Sequence, residues 1–276
     1  GTLNFKPETI NLSVHFKITS AQNPKIKSLL ALEKPRERRK QGLFIVEGKK
    51  EIRLALDAGY KIGNLFFCDE LIPHDELKGL SAPDVLLIPV SKDVFDKVAV
   101  RENSGGVLAV AEQKTHRLDA VKLGSNPLVL VLESVEKPGN LGAILRTADA
   151  AALDAVVICD PATDFYNPNV IRSSVGCIFT NQVASATSAE TLSWLKKNNI
   201  VPYSTSLKAS RAYHTVDYRG PSAIVMGTEA TGLSDTWLTP EQNPIIIPMG
   251  GKIDSMNVST AAAVIVFEAR RQRGFA

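Results

Sequence analysis

The sequence predicts an α/β protein with a smaller first domain and a larger second domain that contains a parallel sheet. Short apolar runs, such as residues 43–46, 62–68 and 128–132, are separated by segments with helical periodicity. The run at 128–132 is apolar at every position, which is typical of a central parallel strand covered on both faces. A length of 276 residues is sufficient for two domains of ordinary size.

The first domain is predicted over residues 17–112, because residues 1–16 show no periodicity and are interpreted as an N-terminal extension. Asn23 and Pro24 form a helix start, Pro35 interrupts or restarts the helix, and Gly42 ends it. The apolar side of this helix is Ile26, Leu29, Leu30 and Leu32. The following strands are predicted at 43–46, 62–68, 85–90 and 107–111, and the helices at 49–58 and 93–98.

The second domain is predicted over residues 127–276, after a polar linker at 113–126. Its strands are predicted at 128–132, 155–158, 201–205, 223–226 and 245–247. Its helices are predicted at 139–151, 169–175, 188–197 and from 258 onward. At the last strand Pro248 ends the apolar run, and a loop containing Gly250 and Gly251 leads into the helix. A loop at the carboxyl end of a strand is where α/β sheets bind ligands.

Composition restricts the class of protein. With 44% hydrophobic and 22% charged residues the chain is globular, and no apolar run approaches the roughly 20 residues of a membrane span. The polar N-terminus does not resemble a signal peptide, so we expect a cytoplasmic protein. The three cysteines and four histidines are widely spaced, which favours free thiols and argues against a disulfide framework or a metal site.

Positive charge is concentrated near the N-terminus. Residues 25–53 contain ten Lys or Arg and four Glu, a net charge of +6 in a chain whose total is +3. Such a run is typical either of a solvated helix face or of an RNA-binding surface. The candidate RNA contacts are Lys25, Lys27, Lys34, Arg36, Arg38, Arg39, Lys40 and Lys49.

Three stretches of the second domain share one pattern: a predicted strand is followed by a polar loop that contains glycine. They are Glu-Ser-Val-Glu-Lys-Pro-Gly-Asn-Leu-Gly-Ala-Ile-Leu-Arg from 133, Met-Gly-Thr-Glu-Ala-Thr-Gly-Leu from 226, and Ile-Pro-Met-Gly-Gly-Lys-Ile-Asp-Ser-Met-Asn from 247. Their order and spacing resemble the three motifs of the SpoU (TrmH-like) family of RNA ribose 2′-O-methyltransferases, within the SPOUT superfamily. The segment from 41 to 50 resembles, more loosely, the L30e-like RNA-binding domain that often precedes such a domain.

The resemblance implies an S-adenosylmethionine-dependent enzyme that methylates a ribose of structured RNA, with rRNA favoured over tRNA. It also implies a deep trefoil knot and a homodimer with a composite active site, and it implies neither a metal nor a membrane. The catalytic residues by this resemblance are Arg146, Asn140, Glu229, Ser255 and Asn257. The cofactor-binding residues are Gly227, Ile247, Met256 and Thr205.

Several of these residues also suit purely structural roles. Asn140 is suited to capping the following helix, Glu229 to the first turn of a helix, and Ser255 and Asn257 to turns of their own loop. Lys137 replaces the aspartate of the Asp-Pro-x-Asn pattern that many relatives carry. The chain lacks Gly-x-Gly-x-x-Gly and a P-loop, so the principal alternative function is a non-catalytic RNA-binding protein.

Overall fold

The computed structural model describes residues 16–80, 84–100, 105–161 and 163–275. Except for Phe16, the N-terminal extension lies outside the described residues. The chain divides into two compact units, one formed by Gly1–Ile52 and Lys61–Glu112 and the other by Arg53–Tyr60 and Gln113–Ala276.

The smaller, N-terminal unit is built on a mixed four-stranded sheet. In chain order its elements are α1 (Pro24–Ala31), α2 (Pro35–Gln41), β1 (Leu43–Glu47), α3 (Lys49–Asp57), β2 (Ile62–Phe67), α4 (His74–Lys78), β3 (Leu86–Pro89), α5 (Lys92–Val98) and β4 (Val107–Glu112). The strand order is β1-β4-β2-β3; β4 runs antiparallel to β1 and β2, and β3 runs parallel to β2. The second half of α3, from Arg53 onward, is grouped with the larger unit.

Local sequence accounts for the paired helices at the start of this unit. The Asn23 side chain accepts a hydrogen bond of 2.9 Å from Lys25 N and caps α1, whereas Gly42 ends α2 at a φ of 64°. Arg38, which we predicted to contact RNA, is fully buried. Its guanidinium donates to the carbonyls of Leu32 at 2.8 Å and Glu33 at 2.7 Å. The RNA prediction for Arg38 is therefore wrong: this arginine ties the end of α1 to α2.

The larger, C-terminal unit is an α/β domain with a five-stranded sheet that is parallel throughout, as predicted. Its elements are β5 (Leu128–Glu133), α6 (Pro138–Ala150), β6 (Ala155–Cys159), α7 (Pro168–Ser173), α8 (Cys177–Thr180), β7 (Val183–Ala186), α9 (Ser188–Lys197), β8 (Val201–Ser204), β9 (Ser222–Met226) and α10 (Val258–Gln272). The strand order is β7-β6-β5-β9-β8. Every residue of β5 is buried, as expected for the central strand.

The predicted strand at 245–247 is wrong. Ile245 and Ile246 instead make isolated parallel bridges, Ile245 to Thr205 and Ile246 to Ala212. Proline stands on both sides of the three isoleucines, and proline has no N–H to continue a ladder. The segment therefore runs past the carboxyl end of β8, where Ile245 N donates to Ser204 O at 2.9 Å.

The segment predicted as a linker, 113–126, is attached to the edge strand β7. Ser185 N donates to the carbonyl of His116 at 2.7 Å, and the His116 Nδ1 lies 2.8 Å from the carbonyl of Val183. Burial lowers the pKa of His116, so the neutral ring donates from Nδ1 and accepts at Nε2 from the Tyr166 hydroxyl, 2.8 Å away.

The C-terminal helix is fixed by arginine side chains that donate to backbone carbonyls. Arg273 donates to Tyr218 O at 2.8 Å, Asn126 O at 2.7 Å and Gly220 O at 2.6 Å, and Arg270 donates to the carbonyls of residues 151 and 152. These carbonyls belong to chain segments far apart in sequence. The last turn of α10 thus joins the loops before β5 and β9 to the end of α6.

Replacing Arg273 with Met should lower the free energy of unfolding by about 2–4 kcal/mol, because the partly buried carbonyls of Tyr218 and Pro127 and two exposed carbonyls lose a charged donor. Denaturant unfolding measures the change. Arg271→Met is the matched control, since Arg271 is exposed and pairs with Glu268 one turn away on the same helix. Equal unfolding midpoints for the two variants would contradict this role of Arg273.

Within the described residues, no helix is both long and apolar enough to cross a membrane. The same residues contain no group of three or more His, Cys, Asp or Glu side chains arranged to hold a metal ion.

Candidate active site

A cavity of about 330 Å³ opens near the carboxyl ends of β8 and β9. Three chain segments form its walls: the loop after β8, the loop after β9, and the segment that leads into α10. Its lining is Thr205, Ser206, Leu207, Lys208, Met226, Gly227, Thr228, Glu229, Ala230, Thr231, Gly232, Leu233, Leu238, Ile245, Ile246, Ile247, Met249, Ser255, Met256, Val258 and Ala261. The volume and the apolar lining are in the range of small-molecule sites.

The loop after β9 folds back on itself immediately beside the strand. Thr228 N donates to Gly232 O at 3.2 Å, and Gly232 N donates to Thr228 O at 3.1 Å. A Cβ atom at Gly227 would lie 2.2 Å from the carbonyl carbon of Gly232, a distance that no side chain tolerates. Glycine at 227 is therefore required by the turn, whatever it does for a ligand.

Glu229, on this turn, brings together two segments that are remote in sequence. Its Oε1 accepts hydrogen bonds from Asn257 Nδ2 at 2.7 Å and Asn140 Nδ2 at 3.1 Å. Asn257 Nδ2 also donates to Asn140 Oδ1 at 3.0 Å, which closes a three-membered polar cluster. Glu229 lies in a turn and not in the first turn of a helix. Its Oε1 nevertheless accepts from Val258 N, the first residue of α10, at 3.4 Å, so the carboxylate lies at the positive end of that helix dipole.

Lys137 completes this cluster from the N-terminal end of α6. Its Nζ donates to Glu229 Oε2 at 2.7 Å. The hydrogen bond from Lys137 lowers the pKa of Glu229, and the same contact raises the pKa of Lys137. Both groups are consequently charged near neutral pH, and Glu229 is a weak proton acceptor.

Asn257 caps a helix in addition to taking part in the polar cluster. Its Oδ1 accepts from Ser259 N at 2.9 Å and caps α10, while its Nδ2 points to Glu229 and Asn140. Asn140 lies one turn inside α6, whose cap position is Lys137. The capping role considered for Asn140 is therefore wrong, whereas Asn257, for which no cap was predicted, caps α10.

Comparison with known proteins identifies the family. Residues 127–267 match the model of the SpoU rRNA Methylase family, and residues 23–109 match an MRM3-like substrate binding domain. This chain belongs to the SpoU family. The resemblance drawn from the three motifs is thereby confirmed.

Individual SpoU relatives are similar over almost the whole chain. The Bacillus subtilis 23S rRNA (guanosine(2553)-2′-O)-methyltransferase RlmP is 30% identical, with 92% of this chain and 99% of that protein covered. A crystal structure of an RNA 2′-O ribose methyltransferase shares 38% identity with a TM-score of 0.81, covering 93% of this chain and 99% of that one. An AdoMet-bound rRNA methyltransferase from Sinorhizobium meliloti shares 30% identity with a TM-score of 0.85, covering 92% and 97%.

All four residues predicted to bind a cofactor, Thr205, Gly227, Ile247 and Met256, line the cavity. Lys208 also lines it and was missed by the motifs, because it lies in the loop after β8, from which only Thr205 was selected. Among the described lining residues, Lys208 and Glu229 are the charged ones.

The predicted catalytic residues are not all in one place. Ser255 lines the cavity, and its Oγ donates to Asp254 Oδ1 at 3.1 Å. Arg146 is exposed on α6, and no described residue forms a hydrogen bond or ion pair with it. Arg146 follows Asn140 by six residues, and at roughly 100° per residue the two side chains leave the helix about 120° apart. The structure thus joins Asn140, Glu229 and Asn257 but leaves Arg146 outside this cluster.

The remaining predicted RNA contacts are accessible. Lys25, Lys27, Lys34, Arg36, Arg39, Lys40 and Lys49 are exposed to solvent. Lys49 is also paired with Glu76.

Gly227→Ala should lower the free energy of unfolding by about 1–3 kcal/mol, because the added methyl group forces the 228–232 turn to shift. Gly220→Ala is the control, since a Cβ at Gly220 meets no described atom within 4 Å. Thermal unfolding compares the variants; a Gly227→Ala protein as stable as the Gly220→Ala protein would show that the turn accommodates a side chain.

Proposed function

We propose that this protein transfers a methyl group from S-adenosylmethionine to the 2′-hydroxyl of a ribose in ribosomal RNA. The observation that carries the proposal is the cavity lined by Thr205, Gly227, Ile247 and Met256, with Glu229 on its wall and Asn140 and Asn257 hydrogen-bonded to Glu229. The names of the relatives support it, since RlmP is a 23S rRNA 2′-O-methyltransferase and the Sinorhizobium meliloti enzyme binds AdoMet.

The cavity fits the donor in size and polarity. Its apolar residues, including Ile247 and Met256, suit an adenine ring. S-adenosylmethionine supplies a methyl group on a positively charged sulfur. The carboxylate of Glu229 places a negative charge on the wall of the cavity, which suits a positively charged ligand.

The polar cluster suits the acceptor ribose. Asn140 and Asn257 are neutral amides held by Glu229, and we assign to them the orientation of the ribose hydroxyl and the adjacent phosphate. Holding the hydroxyl in line with the methyl group accelerates the transfer, since good orientation of the reactants can lower the activation free energy by up to about 7–11 kcal/mol. We assign to Glu229 the orientation of the amides, because both of its carboxylate oxygens are already hydrogen-bonded, Oε1 to the two amides and Oε2 to Lys137.

We assign to Arg146 the stabilisation of negative charge on the reacting oxygen or a neighbouring phosphate, since arginine stays protonated and is a poor general base. Its position outside the Glu229 cluster is consistent with a composite site in which a second copy of the chain supplies this residue. We therefore propose a homodimer.

We further infer that the C-terminal segment is threaded as a trefoil knot. The support is local: Ile245 bridges to Thr205 and Ile246 to Ala212, so the segment runs between the two ends of the 205–212 loop. We also infer that residues 17–112 form an L30e-like RNA-binding domain. The match to a substrate-binding domain and the exposed lysines and arginines support that inference.

Titration calorimetry with S-adenosylmethionine, followed by transfer of labelled methyl groups to unmodified 23S rRNA, tests the proposal. We expect saturable binding and incorporation at a single ribose, located by primer-extension mapping. RNA binding without any cofactor binding would instead support the non-catalytic alternative.

Arg146→Ala should reduce kcat by about 10²–10³-fold and leave the affinity for S-adenosylmethionine within about twofold, because the side chain acts on charge that develops in the reaction. Single-turnover kinetics and calorimetry measure the two quantities. Arg271→Ala, which removes another exposed arginine of the same unit, serves as the control. A parallel loss of cofactor affinity would assign Arg146 to binding.

Replacing Lys34, Arg39 and Lys40 together with Gln should weaken RNA binding and reduce the slope of log K against log salt by about 2–3, because phosphate contacts are lost. Arg38 is left in place because it is buried and holds the helices together. The control is a second triple variant with the same net charge, in which three other exposed lysines of this unit, Lys78, Lys92 and Lys97, are replaced with Gln. Equal salt slopes for the two triple variants would place the RNA surface elsewhere.

A further inference from the structure

Lys137 occupies a position that is locally unfavourable for a lysine. It is the cap residue of α6, where its side chain makes no capping hydrogen bond, and a cation there opposes the positive end of the helix dipole. Its side chain is 72% exposed. Neither helix formation nor core packing therefore accounts for a lysine at this position.

The contact that Lys137 does make is with the carboxylate at the centre of the polar cluster. Glu229 Oε1 accepts hydrogen bonds from the side-chain amides of Asn140 and Asn257 and, at 3.4 Å, from Val258 N. Its Oε2 accepts from the Lys137 amine at 2.7 Å. The terminal torsion of a glutamate is soft, so a carboxylate held at one oxygen rotates easily. With Lys137 on the second oxygen, both ends of the carboxylate are fixed.

We propose that Lys137 is a positioning residue for methyl transfer: it holds Glu229 Oε2 so that Oε1 stays on Asn140 and Asn257, the two amides that orient the ribose. This inference rests on the proposed function. Lys137 need not touch the reacting atoms, because it acts through Glu229. An exposed ion pair contributes little to folding, so its value lies in the geometry of the site.

The directions of the two pKa shifts agree with this arrangement. The contact raises the pKa of Lys137 and lowers that of Glu229, so the pair is charged on both sides at neutral pH. Besides Lys137, the groups that face Glu229 from α6 and from the start of α10 are the side chains of Asn140 and Asn257 and the backbone N–H of Val258, and all three are neutral.

A double-mutant cycle tests the proposal. Lys137→Met should reduce kcat about tenfold, with KM for RNA and cofactor affinity nearly unchanged, since a modest misplacement of the orienting groups costs rate more than binding. In a Glu229→Gln background the same replacement should change kcat less than about twofold, because the partner is already lost. Lys137→Arg should recover most of the activity.

Arg219→Met is the matched control, since it removes one cation of another exposed ion pair in the same unit, with Asp217. We expect that variant to retain its kcat. Two results would overturn the proposal: an equal loss of kcat from Lys137→Met in both backgrounds, or a higher KM for RNA with kcat unchanged. The first result would mean that Lys137 acts independently of Glu229, and the second that it contributes to RNA binding.

Hydrogen exchange separates this proposal from the proposed function. Lys137→Met should increase deuterium uptake at the amides of residues 228–233 and 258, and Arg219→Met should not. If the wild-type protein transferred no methyl group, the proposed function would fail, and the exchange data would still decide whether Lys137 holds Glu229. Unchanged exchange in the Lys137→Met protein would overturn the positioning role.

Discussion

The carboxylate of Glu229 is the contact on which the candidate site depends. It accepts hydrogen bonds from side chains on α6 and at the start of α10, and it lies on the turn that forms one wall of the cavity. Asn140 and Asn257 are 117 residues apart in the chain, yet they are held 3.0 Å from one another beside this carboxylate. The polar cluster and the cavity are therefore adjacent because one ionised group belongs to both.

The fold places these groups by two separate devices. The parallel sheet directs the loops after β8 and β9 to the same edge, as the carboxyl ends of parallel strands require. The start of α10 is then set by the Asn257 cap, and its end is set by Arg270 and Arg273 on distant carbonyls. With both ends of the helix fixed, the loop before it is confined to the wall of the cavity.

Much of the larger unit could be predicted from the sequence because its signals are local. The fully apolar run of β5, the Pro-Gly start of α6 and the helical pattern from Val258 each indicated the element that forms. The short strand β7, with the sequence Val-Ala-Ser-Ala, has too little apolar character to stand out. The isoleucines at 245–247 were wrongly predicted to form a strand. Their apolar, β-branched side chains are typical of strands, but the flanking prolines limit the backbone hydrogen bonds that the segment can make.

For the site residues too, the sequence indicated what depends on local pattern and not what depends on contacts between distant segments. Motif spacing selected several residues that line the cavity and others, such as Arg146, that do not, and it contained no information on which side chains touch. Lys137 was visible only as a departure from a pattern, since its partner lies 92 positions away. Arg38 was selected because it stands in a basic run, and burial inside a helix pair is invisible in a sequence of charges.

A crystal structure of the protein with S-adenosylhomocysteine would test the central claim most directly. We predict the adenine against Ile247 and Met256, and the sulfur on the side of the cavity where Glu229 meets Asn257. Density for the ligand outside the walls formed by residues 205–208, 226–233 and 245–256, or a sulfur turned away from Glu229, would contradict the account.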